Sequence, residues 1–143
     1  MPEIFEYAHT VAGDEIDVVG HASNVAYLTW MQTAAIEHSS AQGWPSERYL
    51  QSGLGWVVRS HRVEYLRPAL PDDVVVVKTW VAAMQKASSV RRYEIRRRGD
   101  DALLATGETV WAYINYSTGM PVRIPLEVVQ AFPVVDRPFH CQS

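Results

Sequence analysis

Cysteine, long apolar runs and a secretory leader are all scarce or absent in these 143 residues. The single cysteine, Cys141, excludes an internal disulfide and favours a reducing compartment; we expect it to be an idle thiol in the tail. No basic region followed by an apolar run opens the chain, and no stretch approaches the ~20 apolar residues that span a bilayer. The sequence therefore predicts a cytoplasmic protein.

Several enzyme classes are excluded by motifs that are missing. No G-x-S-x-G elbow is present, which excludes a serine hydrolase of the α/β type, and no P-loop or dinucleotide fingerprint occurs. Two-histidine zinc spacings are absent. Four side chains could offer metal ligands, but their spacing follows no calcium-loop pattern: Asp14, Glu15, Asp17 and His21. We expect neither a metal nor a cofactor.

The pattern of elements predicts one α+β domain over residues 1–143, with a core at about 5–131 and a tail at 132–143. One long helix follows a first strand, a polar loop comes after that helix, and strands with short turns and a short final helix complete the order. The predicted strands are 5–11, 54–67, 74–84, 88–98 and 102–116, and the predicted helices are 24–42 and 125–132. We expect an antiparallel sheet of about five strands wrapped around the long helix, with an edge strand that pairs with a second copy.

The long helix is unusually apolar. Ser23 or Asn24 can cap its first turn, and Gly43 followed by Pro45 ends it. Apolar side chains cover one helical face and spread beyond it: Val25, Leu28, Met31 and Ala35, then Ala26, Trp30, Ala34 and Ile36. A helix of this kind is expected to be buried rather than docked on a surface.

Polar residues gather just ahead of this helix. Asp17, Gly20 and His21 precede its start near Asn24. A helix start offers unpaired N–H groups and a partial positive charge, which suit an oxygen anion. A carboxylate seven residues before that start could act on a carbonyl held there, so the segment is typical of a catalytic site.

Two motifs resemble those of the hotdog-fold acyl-CoA thioesterases of the 4-hydroxybenzoyl-CoA thioesterase, YbgC and FadM type. The first comprises Asp17, Gly20, Asn24 and Tyr27, with G-H-x-x-N at residues 20–24. The second is V-E-Y-L-R-P-A at residues 63–69, followed by a pair of aspartates at 72–73. The resemblance covers about residues 5–131. It implies a hotdog fold and the hydrolysis of an acyl or aromatic acyl thioester.

The same resemblance implies roles for individual residues. Asp17 would be either the nucleophile or the general base, and the backbone N–H of Asn24 would donate to the oxyanion. Gly20 would let the loop approach the substrate. His21 would hydrogen-bond the thioester or orient Asp17, and Tyr27 would form a pocket wall.

Substrate contacts beyond the helix start have two interpretations. The only basic cluster consists of the arginines at 91, 92 and 96–98. Strand alternation divides this segment between two faces. One face carries Arg92, Glu94, Arg96 and Arg98, and the other carries Arg91, Tyr93, Ile95 and Arg97. These arginines either form a solvated outer face or, with Lys86 and Ser88, hold the phosphates of coenzyme A. The net charge of −3 argues against nucleic acid and anionic membranes as partners.

Further alternatives stay open at this point. The chain could be a non-catalytic module that binds acyl-CoA, or a thioesterase that acts on an acyl chain carried by a protein. Trp30, Trp56, Tyr27 and Met31 either line an aromatic pocket or fill the core. Glu37 and His38 lie roughly 15–20 Å from the helix start by helical rise, too far to join the site within one subunit. We expect homodimers, assembled into homotetramers, with active sites at subunit interfaces.

Overall fold

The computed structural model describes residues 4–135, so Cys141 and most of the predicted tail lie outside the described part of the chain. The elements, in chain order, are β1 Phe5–Thr10, a 3-10 turn at Gly13–Glu15, α1 Asn24–Ala41, α2 Ser46–Ser52, β2 Leu54–Tyr65, β3 Val74–Met84, β4 Ser88–Arg97, β5 Leu103–Asn115 and α3 Leu126–Ala131. The predicted bounds of β3 are confirmed at both ends. Those of the other strands are confirmed to within two residues.

The five strands form one antiparallel sheet in the order β1-β3-β4-β5-β2. Short turns join β3 to β4 and β4 to β5, whereas β2 pairs with β5 at the far edge although β3 follows it in sequence. Three register shifts interrupt the ladders, between Val58 and Ser60, between Val81 and Ala83, and between Ile95 and Arg96. Such irregularities bend strands, which helps the sheet to wrap around a helix.

Helix α1 packs its small and aromatic side chains against the concave face of the sheet. Its buried residues are Ala26, Tyr27, Trp30, Met31, Ala34, Ala35 and His38. Gly107 of β5 permits the close approach, because a Cβ there would lie 2.7 Å from the sulfur of Met31. The predicted architecture, a sheet wrapped around one long helix, is confirmed.

The expectation that α1 is buried rather than docked on a surface is met by only one side of the helix. Val25 is 69% exposed and Ile36 is 52% exposed, although both are apolar. The physical reason is that one sheet covers only one side of a helix. The opposite side of α1 is therefore not covered by residues 4–135 of the same chain.

A second helix occupies the segment predicted to be a polar loop. In α2 the buried Tyr49 stacks on Trp44 at 5.0 Å between ring centroids, and both join a second apolar cluster with Tyr113 and Val128. Phe132, assigned to the tail from sequence, is buried in the same cluster. This helix has only seven residues and buries only Tyr49, so its sequence lacks the periodicity that marks longer helices.

Candidate active site

The segment ahead of α1 folds back on itself as a small hairpin. The N–H of Asp17 donates to the carbonyl of His21 at 2.8 Å, and the N–H of Ser23 donates to the carbonyl of Glu15 at 2.8 Å. The N–H of Gly20 closes the turn on the carbonyl of Asp17 at 3.1 Å. Gly20 has a φ of +84°, a left-handed conformation that a side chain would strain. The predicted turn glycine is therefore required by the backbone itself.

The carboxylate of Asp17 is held by one of its oxygens. Oδ1 accepts the backbone N–H groups of Val19 at 3.0 Å and His21 at 3.3 Å. Within residues 4–135 no hydrogen bond reaches Oδ2, and the side chain is exposed. His21 thus orients Asp17 through its backbone rather than through its ring. The arrangement leaves one carboxylate oxygen oriented and available.

The first turn of α1 begins beside this hairpin. The hydroxyl of Ser23 accepts the N–H of Ala26 at 3.2 Å and is the N-cap, which decides between the two predicted caps. The preceding N–H groups, those of Asn24 and Val25, have no carbonyl partner inside the helix, because the first four donors of any α-helix lack one. Both residues are exposed. The helix start can therefore receive an oxygen anion from outside.

Tyr65 supports the helix start from β2 and was not predicted as a site residue. Its hydroxyl donates to the carbonyl of Asn24 at 3.1 Å. Its ring meets that of Tyr27 edge-on, with 5.0 Å between centroids. The one clue in the sequence was its place in the V-E-Y-L-R-P-A motif.

Tyr27 is buried and forms hydrogen bonds to the backbone. Its hydroxyl accepts the N–H of Ala69 at 2.9 Å and donates to the carbonyl of Arg67 at 3.4 Å. Burial raises the pKa of Tyr27, while the Ala69 hydrogen bond opposes that rise. The side chain joins the helix start to the connection between β2 and β3. Trp30 and Met31 are also buried in this core, whereas Trp56 is only partly buried.

Glu15 organises the base of the hairpin, a role that the sequence did not reveal. Its Oε1 accepts the N–H of Ala12 and contacts His9 Nε2, both at 2.8 Å, and its Oε2 accepts the indole N–H of Trp30 at 2.8 Å. Burial, the largest single effect, raises the pKa of Glu15, but these hydrogen bonds together hold it below the usual value. The carboxylate therefore ties β1, the 3-10 turn and α1 together in its ionised form.

Two of the predicted substrate contacts lie far from Asp17 within one chain. Lys86 and Ser88 follow the last residue of β3, while the hairpin adjoins the other end of that strand, where Thr10 pairs with Val74. At a rise of about 3.3 Å per residue, β3 separates the two groups by roughly 30 Å. Ser88 Oγ donates to Gln85 Oε1 at 3.2 Å within the turn. One chain does not bring these residues together with Asp17.

The basic cluster is largely neutralised inside the chain. Arg92 pairs with Glu108 at 3.1 Å, and Arg96 pairs with Glu94 at 3.5 Å. Arg97 pairs with Asp73 at 3.3 Å and with Asp100 at 3.4 Å. Glu94 and Arg96 are buried, so the outer face is not simply solvated. These pairs leave little of the cluster free for phosphate groups.

Arg91, the third predicted substrate contact, points inward. It is 6% exposed, and its Nη1 lies 2.9 Å from His38 Nδ1 and 3.1 Å from Thr79 Oγ1. His38, which is 1% exposed, thus makes a buried polar contact with Arg91. Arg91 is an interior cation rather than a surface phosphate contact of this chain.

Residues 4–135 contain neither a cluster of metal ligands nor a helix that could span a membrane. In the described part of the chain, no three His, Cys, Asp or Glu side chains group closely enough to hold a metal ion. No helix of residues 4–135 combines the length and apolar character needed to cross a bilayer.

Comparisons with known proteins show which family the chain belongs to. The family model described as the acyl-ACP thioesterase N-terminal domain matches residues 2–132. The acyl-CoA thioester hydrolase YbgC of Escherichia coli O6:H1 is 30% identical over 128 residues, which cover 88% of this chain and 89% of YbgC. A chloroplastic palmitoyl-acyl carrier protein thioesterase of Gossypium hirsutum is 28% identical over 131 residues, covering 87% of this chain. The chain spans about a third, 32%, of that plant relative.

Solved structures show the same fold. The DHNA-CoA thioesterase from Staphylococcus aureus superposes with a TM-score of 0.79 at 27% identity, over 84% of this chain and 80% of that one. The predicted resemblance is thereby confirmed for both sequence and fold. The chain belongs to the hotdog-fold acyl thioesterase family and is, by that membership, a thioester hydrolase.

Proposed function

We propose that this protein hydrolyses an acyl or aromatic acyl thioester of coenzyme A, with Asp17 as its acidic catalytic residue. The observation that carries the proposal is the arrangement of the Asp17 carboxylate. Its Oδ1 is fixed by two backbone N–H groups, while its Oδ2 is left to react. The hairpin that holds it leads directly into the exposed first turn of α1. A base or nucleophile and an oxyanion donor thus lie on one short segment.

Either of two routes gives the same products. As a general base, Asp17 takes a proton from water while the water oxygen attacks the carbonyl carbon; the C–S bond then breaks, and the departing thiolate receives the proton that Asp17 took. As a nucleophile, Oδ2 attacks that carbon itself, expels the thiolate and forms a mixed anhydride, which water then opens. In both routes the N–H groups of Asn24 and Val25 stabilise the negative oxygen, an effect commonly worth about 3 kcal/mol of the barrier. The products are the free acid and the thiol of coenzyme A.

A carrier-protein substrate is the second candidate. It is supported by the matching family model, whose description names acyl-ACP, and by the plant relative, whose name specifies an acyl carrier protein. YbgC, by its name, acts on acyl-CoA, and the chain covers 89% of it. We therefore rank coenzyme A first. Family membership weighs against a module that only binds acyl-CoA.

Assembly of two copies is part of the proposal. The outer edge of β2 has no neighbouring strand among the described residues, and such edges invite pairing. Val18 and Val19 of the hairpin and Val25 of α1 are exposed apolar residues. A homodimer covers these surfaces and lets Lys86 and Ser88 of one copy reach coenzyme A at the Asp17 of the other. Pairing of dimers would give the expected tetramer, and the single cysteine suits a cytoplasmic location.

A hydrolysis screen tests the proposal. Short, long and aromatic acyl-CoAs and an acyl-carrier protein are supplied in parallel, and the released thiol is measured. We expect saturable turnover of at least one acyl-CoA, with a higher kcat/KM than for the same acyl group on the carrier protein. The reverse order would establish the second candidate, and turnover of neither class would refute both.

A further inference from the structure

A cavity of about 310 Å³ lies between the second half of α1, α2 and the sheet. Its walls are mostly apolar and aromatic, including Trp56, Trp111, Val81 and Met84. This volume falls at the lower end of the range for small-molecule pockets, which are typically apolar with few polar groups. The mechanism proposed above uses none of these residues.

One cation lines this apolar space. Arg91 is 6% exposed, and its ionisable neighbours include the phenols of Tyr93 and Tyr49 and the imidazole of His38. Within residues 4–135 no Asp or Glu forms an ion pair with it. Burial lowers the pKa of Arg91, yet a guanidinium stays charged at neutral pH. A buried charge is ordinarily paired, so this one calls for an anion.

The hydrogen bonds of Arg91 leave donors unused. Both N–H groups of Nη1 are directed at His38 Nδ1 and Thr79 Oγ1, which fixes the plane of the guanidinium. A guanidinium carries five N–H groups, so three remain, on Nη2 and Nε. No hydrogen bond from these two atoms is made to the described residues. A carboxylate matches such a fork, because its two oxygens accept parallel hydrogen bonds.

We propose that this cavity binds the far end of an acyl group that terminates in a carboxylate, with Arg91 as the residue that recognises it. This inference rests on the proposed function, since it names the substrate class of the same enzyme. Gln32, which lines the cavity, lies eight residues after Asn24, or about 12 Å along α1. An acyl chain from the helix start of the same copy must span that distance. If the acyl chain instead enters the cavity from the active site of a partner copy, the distance that it must span is different.

Binding of non-hydrolysable ligands tests the proposal without requiring turnover. Coenzyme A thioethers with alkyl chains of six, ten and fourteen carbons are prepared with either a methyl or a carboxylate end. Calorimetric titration of the full chain gives the ratio of the two dissociation constants at each length. We expect the carboxylate end to bind about tenfold more tightly, or better, at one length at least. That length reports the distance from the thioester site to Arg91.

Two variants locate the effect. Arg91→Met keeps the length of the side chain and removes its donors, so the preference for the carboxylate end should disappear, with methyl-ended ligands bound as before or more tightly. Arg92→Met is the matched control on the opposite face of β4, where Arg92 pairs with Glu108. It should leave the ratio unchanged.

Several outcomes overturn the inference. Wild-type protein that shows no preference at any length refutes it without recourse to a variant, so misfolding of Arg91→Met does not leave it untested. A preference that survives in Arg91→Met also refutes it. Free decanoate that binds in an Arg91-dependent way, where the thioethers do not, would identify a site for free acids instead. Turnover of ordinary acyl-CoAs without a preference for a carboxylate end would refute only this inference and would support the proposed function.

Discussion

The phenolic oxygen of Tyr27 accepts the backbone N–H of Ala69 at 2.9 Å, and this bond joins the first turn of α1 to the connection between β2 and β3. Both residues are buried, with Tyr27 2% exposed and Ala69 fully enclosed. The position of the helix start, and with it that of the proposed oxyanion donors, therefore depends on a contact between segments 42 residues apart.

Replacing Tyr27 with phenylalanine should destabilise the protein rather than abolish its chemistry. The change leaves the N–H of Ala69 buried without its acceptor, which costs about 1–3 kcal/mol in the free energy of unfolding. Denaturant titration measures that loss, and steady-state kinetics on the folded variant measures kcat and KM. A large fall in kcat with unchanged stability would show that the hydroxyl acts on substrate instead.

Ionisation of Glu15 should make stability depend on pH. The pKa of Glu15 is lowered in the folded state. The stability that its ionisation contributes is therefore complete above the unfolded-state pKa of about 4.5 and is lost as the pH falls through the folded-state pKa. Glu15→Gln removes the charge and keeps the shape. We expect the variant to be less stable than wild type by about 1–3 kcal/mol at pH 7, with the gap narrowing below about pH 4.5. Urea titrations from pH 3 to 7 test this; a gap that is constant over that range would contradict it.

Contact between Gly107 and Met31 should limit what β5 tolerates. Gly107→Ala places a Cβ against the Met31 side chain, and overpacking of this kind typically costs about 1–3 kcal/mol. Met31→Ala alone leaves a void and is also destabilising. The double variant should be more stable than the sum of the two single changes predicts, because the void accommodates the new methyl group. Additive losses would show that the two sites are not in contact.

Complementation between two inactive copies tests whether one site draws on both subunits. Asp17→Asn removes the proposed catalytic group, and Lys86→Ala removes a proposed coenzyme A contact roughly 30 Å away along β3 of the same chain. If the two copies assort at random, half of the dimers formed on co-expression should be heterodimers, and each heterodimer has one intact site out of two. The rate at low substrate concentration should therefore be about a quarter of the wild-type rate. If the co-expressed pair is no faster than either parent alone, Lys86 does not serve the partner's Asp17.

Much of the fold could be predicted from local patterns. The alternation and β-branched residues of β3 define its two ends, and Ser23 with Gly43 delimits α1 to within a residue or two. Helix α2 could not be predicted, because a seven-residue polar helix is held by the stacking of Tyr49 on Trp44 rather than by its own periodicity. Pairing of β2 with β5 is likewise a tertiary choice that no local pattern encodes.

Only part of the candidate site could be predicted from the sequence. The turn at Asp17 and Gly20 follows from residue types whose backbone demands are local. The role of Glu15 depends on its hydrogen bond with Trp30, which lies in α1. Lys86 and Asp17 lie at opposite ends of β3 because of the direction in which β1 and β3 run in the sheet. Alternation did place Arg91 on the face of Tyr93 and Ile95, but its neighbours in the basic cluster suggested a surface position. Burial of that arginine became visible only with the packing of α1 and α2.

Turnover by Asp17→Asn measures the central claim most directly. Asparagine retains an Oδ1 that can accept the N–H groups of Val19 and His21, so the hairpin should persist while the proposed base or nucleophile is lost. Asp14→Asn, an exposed change in the preceding 3-10 turn, is the matched control. We expect Asp17→Asn to lower kcat about 100- to 10,000-fold with unchanged thermal unfolding, and Asp14→Asn to retain wild-type kcat. A kcat for Asp17→Asn within a few-fold of wild type would contradict the account.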